Sequence, residues 1–223
     1  MKKFKIRSSA SGTIMQVKGL GKTGLSYCGT WVKEQLYKRI KEFTSKYTEK
    51  GLIMEDNSLD DIADYLGFGM LIKNEQYFEN DFMTGTPDIV LKDLIIEVKN
   101  SWDPFTFPLF EKEIPNTDYY WQCQCYMNLT GKDHCKLIYV LSDTPEHLIV
   151  REVKNYIYRN GIDEIDVELY ESFKAKMTYS DVPDSLKIKV YDIERNQEDI
   201  EKINQRVLEC REYIKTLIKN PDK

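Results

Sequence analysis

Residues 85–100, GTPDIVLKDLIIEVKN, decide the reading of this chain. The stretch is apolar and β-branched, but it carries polar residues at telling intervals. Asp88 follows Pro87, and Glu97-Val98-Lys99 comes after eight intervening residues. In a strand, residues two apart share a face, so Glu97 and Lys99 point together. If Lys92-Asp93 forms the turn of a hairpin, Leu91 faces Leu94, Val90 faces Ile95, Ile89 faces Ile96, and Asp88 faces Glu97. Two carboxylates placed opposite each other repel. A divalent cation between them removes that conflict. The same residues also fit a surface hairpin with a Glu–Lys pair. The Lys92-Asp93 turn lacks the glycine that two-residue hairpin turns prefer.

The whole chain sets the bounds. Its 223 residues suffice for one domain with a sizeable core. No apolar run approaches the ~20 residues of a membrane helix. The basic start, Met1-Lys2-Lys3-Phe4-Lys5, lacks the apolar core of a signal peptide, so a cytoplasmic protein is expected. Five scattered cysteines, an odd number, read as free thiols. Cys123 and Cys125 would lie ~200° apart around a helix and would not converge on a metal. The net charge of −5 announces no nucleic-acid binder. It excludes none either, because a local basic lining matters more than the total.

Outward from the hairpin, the sequence alternates between helical and extended patterns. Ser8, Ser9, Ser11 and Gly12 form a small polar cluster that reads as a capped surface turn, or as a short helix start able to hold an anion. Gly19 to Gly24 lacks the first glycine of a phosphate loop, since Gln16 stands there, and reads as a flexible loop. Val32, Leu36, Ile40, Phe43 and Tyr47 predict a helix over 29–47. Gly51 punctuates, and a second helix carrying Glu55 ends near Gly67. Strands are expected near 70–72 and 77–78. Residues 101–115, with Trp102, Phe105, Phe107 and Phe110, fit a long loop packing back on the body, or a wall for stacking bases. Asn116-Thr117-Asp118 caps a helix closed by Gly131, with Tyr119, Gln122, Tyr126 and Leu129 on one face. A strand follows at 134–142, a helix or strand near 148–157, a strand at 185–195 and a helix at 197–219. No repeat or linker is visible. A single domain over 1–223 is expected, with its core at about 5–142 and an accessory region from about 143.

Asp88 and Glu97 are hard oxygen ligands that suit Mg²⁺ or Mn²⁺ rather than zinc. Pro87-Asp88 and Glu97-Val98-Lys99 together resemble the signature of the PD-(D/E)XK nuclease superfamily. Gln122-Cys-Gln-Cys-Tyr126 resembles the Gln-x-x-x-Tyr element of its exonuclease branch. Tyr119-x-x-Gln122-x-Gln124, with Gly51-x-x-x-Glu55 upstream and Pro104-Phe105-Thr106 after Lys99, is more closely similar to the lambda-exonuclease, YqaJ-like viral recombinase family. The resemblance implies an α/β fold with a restriction-endonuclease-like core, a central mixed β-sheet flanked by helices, and a C-terminal strand and helix. It implies a Mg²⁺-dependent exonuclease acting on duplex DNA ends. Asp88, Glu97 and the Val98 carbonyl would be the metal ligands, with Glu55 binding the metal or completing the site, Lys99 would be catalytic, and Gln122 would help position Lys99 or the scissile phosphate. It also implies Ser11 and Ser9 at a 5′-phosphate site, with Arg7, Tyr119 and Tyr126 nearby on DNA. A homo-oligomer and a single-strand-annealing recombination partner belong to the same analogy. An endonuclease of the superfamily and a DNA-binding module without catalysis are the alternatives.

Overall fold

Alternation along one strand organises the molecule. In β5, Leu94–Asn100, Ile96 and Val98 face one side, and Ile95, Glu97 and Lys99 face the other. Each side needs its own cover, and the chain supplies a different helix for each. The computed structural model describes residues 1–16, 18–41, 46–162 and 166–219. Within 46–66 the side chains of residues 46–48, 52 and 55–57 lie outside the description.

β4, Ile89–Val90, pairs antiparallel with β5 in the register expected from the sequence, Ile89 against Ile96 and Val90 against Ile95. The Leu91 amide donates to the Leu94 carbonyl at 2.8 Å, so the turn has two residues. Neither Lys92 nor Asp93 takes a positive φ, so the turn does without glycine. β6, His134–Val140, lies parallel to β5 along its whole length, and β7, Ile188–Glu194, closes the sheet antiparallel to β6. The order is β4-β5-β6-β7, a mixed sheet flanked by helices. A smaller sheet, β1-β3-β2, joins Ile6–Arg7, Met83–Gly85 and Phe78–Glu79.

α3, Thr117–Thr130, covers the Glu97 face of β5. It begins as its sequence predicts, with Asn116 Oδ1 accepting from the Asp118 amide, and ends at Gly131 in the left-handed region. α2, Lys46–Leu66, covers the opposite face through Leu59, Ile62 and Ala63. α1, Gly21–Tyr37, and α6, Gln197–Lys219, pack on each other and on a 3₁₀ turn at Ser8–Ile14. α4, Glu146–Asn160, resolves the ambiguous stretch as a helix, and α5, Val167–Met177, packs beside it.

Several expectations are corrected. The helix predicted over 29–47 starts earlier and stops at Tyr37, because Lys38 turns left-handed (φ 51°). Leu36 and Ile40 are consequently exposed rather than core. Phe43 lies outside the described residues, as does the Tyr47 side chain. Gly51 does not punctuate; it sits inside α2, where a glycine is tolerated at a cost of about 1 kcal/mol. Of the glycines expected in a flexible loop, Gly21 and Gly24 lie in α1, and Gly24 lets the helix lie close to Thr13 and Ile14. The polar cluster at 8–12 is no surface turn, since Ser8 and Ser11 are buried. No strand forms at 70–72, where Leu71 alone is buried. Of the aromatic residues in the 101–115 loop only Phe107 packs deeply, while Phe105 and Phe110 are 95% and 88% exposed.

Candidate active site

Glu97 is the centre of the site. Its carboxylate is 2% exposed, in the middle of β5, where an unpaired charge would be costly. Two donors converge on one of its oxygens. Lys99 Nζ reaches Glu97 Oε1 at 2.6 Å, as the i, i+2 spacing demands, and Gln122 Nε2 reaches the same atom at 2.6 Å from α3. The other oxygen, Oε2, is buried with no hydrogen-bond partner. A buried orphan of that kind calls for a cation or a donor.

Asp88 comes to the same place from the hairpin's other arm. Its Oδ2 accepts the Val98 amide at 2.7 Å. The backbone around it is clamped by Asn74, whose amide donates to the Asp88 carbonyl at 2.7 Å and whose Nδ2 donates to the Pro87 carbonyl at 3.0 Å. Sequence reasoning missed Asn74, because a lone asparagine in a loop carries no signal of what it binds.

Lys99 is pulled two ways. Burial disfavours its charge, but the Glu97 and Asp88 carboxylates outweigh burial and hold the ammonium well above the usual lysine value. The Tyr119 ring backs it, with Nζ 4.6 Å from the ring centroid. Gln122 also donates to the Tyr126 hydroxyl at 3.0 Å. Burial, then the Glu97 charge, raise the Tyr126 phenol far above its ordinary value, so it stays protonated. Gly85 makes room for this ring: a Cβ there would stand 2.6 Å from Tyr126 Cε1 and from Ser8 Oγ.

The structure therefore gathers Asp88, Glu97, Lys99, Gln122, Tyr119 and Tyr126. Val98 lies between the two charged residues with its amide on Asp88. The Glu55 position falls on α2, but its side chain is outside the described residues. Among the described residues no cluster of three His, Cys, Asp or Glu is suited to hold a metal. Ser11 is buried with its hydroxyl on the Ser8 carbonyl at 2.7 Å, and Ser9 is exposed. Arg7 pairs with Thr84 in the small sheet and has its Nε on the Tyr27 hydroxyl at 3.2 Å. Cys123 and Cys125 are both buried but belong to different core clusters, and so do not converge.

Two comparisons find nothing: no family model matches the chain, and no curated protein does. Solved structures do match. A phage-related exonuclease from Haemophilus somnus 129PT is 27% identical, with 99% of this chain and 98% of that one covered, at a TM-score of 0.81. An alkaline exonuclease from Laribacter hongkongensis is 15% identical over 97% of this chain and 93% of that one, at a TM-score of 0.65. The structure of that exonuclease in complex with dAMP matches at 16% identity and a TM-score of 0.66. These three structural neighbours are exonuclease structures, consistent with the PD-(D/E)XK viral recombinase family that Asp88, Glu97 and Lys99 resemble.

Proposed function

We propose that the protein is a Mg²⁺-dependent DNA exonuclease of the lambda-exonuclease-like kind, hydrolysing phosphodiester bonds from duplex ends. The observation that carries this is the state of Glu97. It is a buried carboxylate with one oxygen held by Lys99 and Gln122 and the other without a partner, next to Val98, whose amide is held by Asp88. That donor set fits a hard cation such as Mg²⁺, with Mn²⁺ as a substitute. Asp88, Glu97 and the Val98 carbonyl would hold it, with Glu55 joining from α2. When bound, the ion would supply the Lewis acidity that activates water and offsets charge on the scissile phosphate.

The chain's own residues do the rest. Gln122 fixes the rotamer of Glu97 and is fixed in turn by Tyr126. Lys99 presents a fixed positive charge where negative charge grows on the phosphate oxygens. Tyr119 limits the directions in which that ammonium can swing. Ser11, Ser9 and Arg7 are assigned to the DNA end in this reading, Ser9 being the exposed hydroxyl. A role in phage-type recombination, beside a single-strand-annealing protein and as a cytoplasmic homo-oligomer, follows from the family resemblance.

The test is digestion of end-labelled linear duplex and covalently closed circular DNA, with Mg²⁺ and with chelator. Expected is metal-dependent loss of label from the linear duplex while the circle survives. Glu97→Gln and Lys99→Met should each slow hydrolysis on the order of a hundredfold or more. Rapid cutting of the circle means an endonuclease instead. No metal-dependent cleavage of either substrate removes the enzymatic reading.

A further inference from the structure

The chain carries more acid than base overall, yet one region reverses that balance. A cleft of ≈ 610 Å³ lies between the N-terminal segment, the C-terminal end of α1 and the small sheet. Six cations line it, Lys2, Lys3, Lys5, Arg7, Lys38 and Arg39, against two carboxylates, Glu34 and Glu79. A second cleft of ≈ 390 Å³ shares Glu34 and Arg39 with it and adds Lys33 and Lys41. Eight of the chain's 32 Lys and Arg therefore converge beside two acids, in a protein of net charge −5. Convergence of one sign in a concave site focuses the field on an anion.

We infer that these joined clefts bind the sugar–phosphate backbone of duplex DNA, beside the cut site and without reading sequence. The inference rests on the nuclease reading above for its choice of DNA. Three observations favour that ligand. First, the cleft adjoins the candidate active site. Thr84, which lines it, is four residues before Asp88, a span of at most ~14 Å even when extended. Ser8 Oγ donates to the Thr84 carbonyl at 2.9 Å, and Ser8 and Tyr126 crowd Gly85, so cleft and carboxylates share one wall. Second, the cations are only lightly engaged. Lys3 meets Asp81 at 3.2 Å at exposed positions, and the half-buried Lys5 meets the exposed Glu79 at 2.9 Å, ion pairs that are weak and easily exchanged for phosphate. Third, two of the four aromatic rings lining the clefts are engaged within the protein: Trp31 and Tyr27 stand edge-on to Phe4 at 5.2 and 6.3 Å, leaving the exposed Tyr37 and Tyr77 beside eight cations, so phosphate contacts dominate the lining.

The experiment measures binding of a fluorescent duplex in chelator, across a salt series, so that cleavage plays no part. The triple variant K3Q/K38N/R39Q removes three exposed charges, and asparagine suits the left-handed backbone at position 38. Each lost phosphate contact flattens the log–log salt slope by ~0.9, so the variant should lose about 2–3 units of slope. The loss should be equal for 5′-phosphate and 5′-hydroxyl ends and for unrelated sequences. Arg39→Gln alone should lose ~1 unit, which keeps the test decisive if the triple variant is unstable. An unchanged slope overturns the proposal and leaves the cleft to an acidic protein partner. A loss confined to 5′-phosphate ends also overturns it, because the cleft would then serve only the terminal phosphate. A wild-type protein that binds with a steep slope but never cleaves would defeat the nuclease reading and leave this one standing.

Discussion

Lys50 carries an ammonium into a site that is only 1% exposed, a rare placement for lysine. Its Nζ donates to the Trp102 carbonyl at 3.0 Å and lies 5.7 Å from the Trp102 and Tyr179 ring centroids. It thereby ties α2 to the loop that follows Lys99. Burial lowers its pKa to about 8, and the Asp143 and Asp103 charges only partly oppose that. The folded chain then binds fewer protons than the unfolded chain between pH 8 and the ordinary lysine value. Unfolding free energy from this group rises with pH across that window, and the cost is fully present below it. Relative to Lys50→Met, the wild type should gain about 2 kcal/mol of stability between pH 7.5 and 9.5. Urea unfolding of both proteins at the two pH values measures this. Parallel pH dependence in the two proteins would mean that Lys50 does not titrate as its surroundings require. None of this is legible in the sequence, where Lys50 is one of many lysines. Asp88, Glu97 and Lys99 are legible because their spacing fixes a shared face on a predictable element. Asn74, in a loop, and Gly85, at the end of β3, act through contacts that no periodicity encodes.

At the scale of elements, β5 works because both of its faces are held in register with their helices. The α3 side is held by Gln122 on Glu97. The α2 side is held by a buried polar group that the sequence does not announce. Ser58 of α2 and Ser142 beyond β6 both meet Asn100 Oδ1, at 2.7 and 2.8 Å, and each other at 3.0 Å. Asn100 directly follows Lys99, so this cluster ties the helix that carries Glu55 to the end of the strand that carries the other candidate ligands. The Ser58→Ala and Asn100→Ala changes should therefore be coupled, with an interaction energy on the order of 1 kcal/mol in a double-mutant cycle read by urea unfolding. Strict additivity would show that the three groups do not act as a unit. The hairpin and α3 are the elements the sequence describes best, one through period-2 alternation and register, the other through its Asn116 cap and Gly131 stop. α1 is misread because a left-handed turn at Lys38 cuts a helical pattern that continues past it. The strands at 78–79 and 83–85 are too short to show alternation at all.

At the scale of the whole molecule, the residues after 142 complete both the sheet and the N-terminal packing. β7 pairs with every residue of β6. α6 buries Ile200, Ile203, Val207 and Ile214, the last three in the cluster built from Phe4, Ile6 and Ile14. Arg211 of α6 donates to the Phe4 carbonyl at 3.0 and 2.9 Å, and to the Asp81 carbonyl at 2.5 Å. The far end of the chain thus pins the strand that leads into the basic cleft. The sequence shows this strand and helix as elements, but where they dock depends on contacts about 200 residues apart (Arg211 to Phe4 is 207). Burying those four apolar side chains stabilises the fold by up to about 6–12 kcal/mol. That is comparable with the ~5–15 kcal/mol that separates a folded domain from its unfolded chain. A chain ending at residue 195 should consequently lose cooperative thermal unfolding and bind DNA weakly with or without Mg²⁺. Circular dichroism melts and anisotropy on the same preparation test both points. A truncated chain that still melts cooperatively within a few degrees of the full chain would show that α6 is dispensable. In that case the N-terminal basic segment must be held in place by β1 and β3 alone.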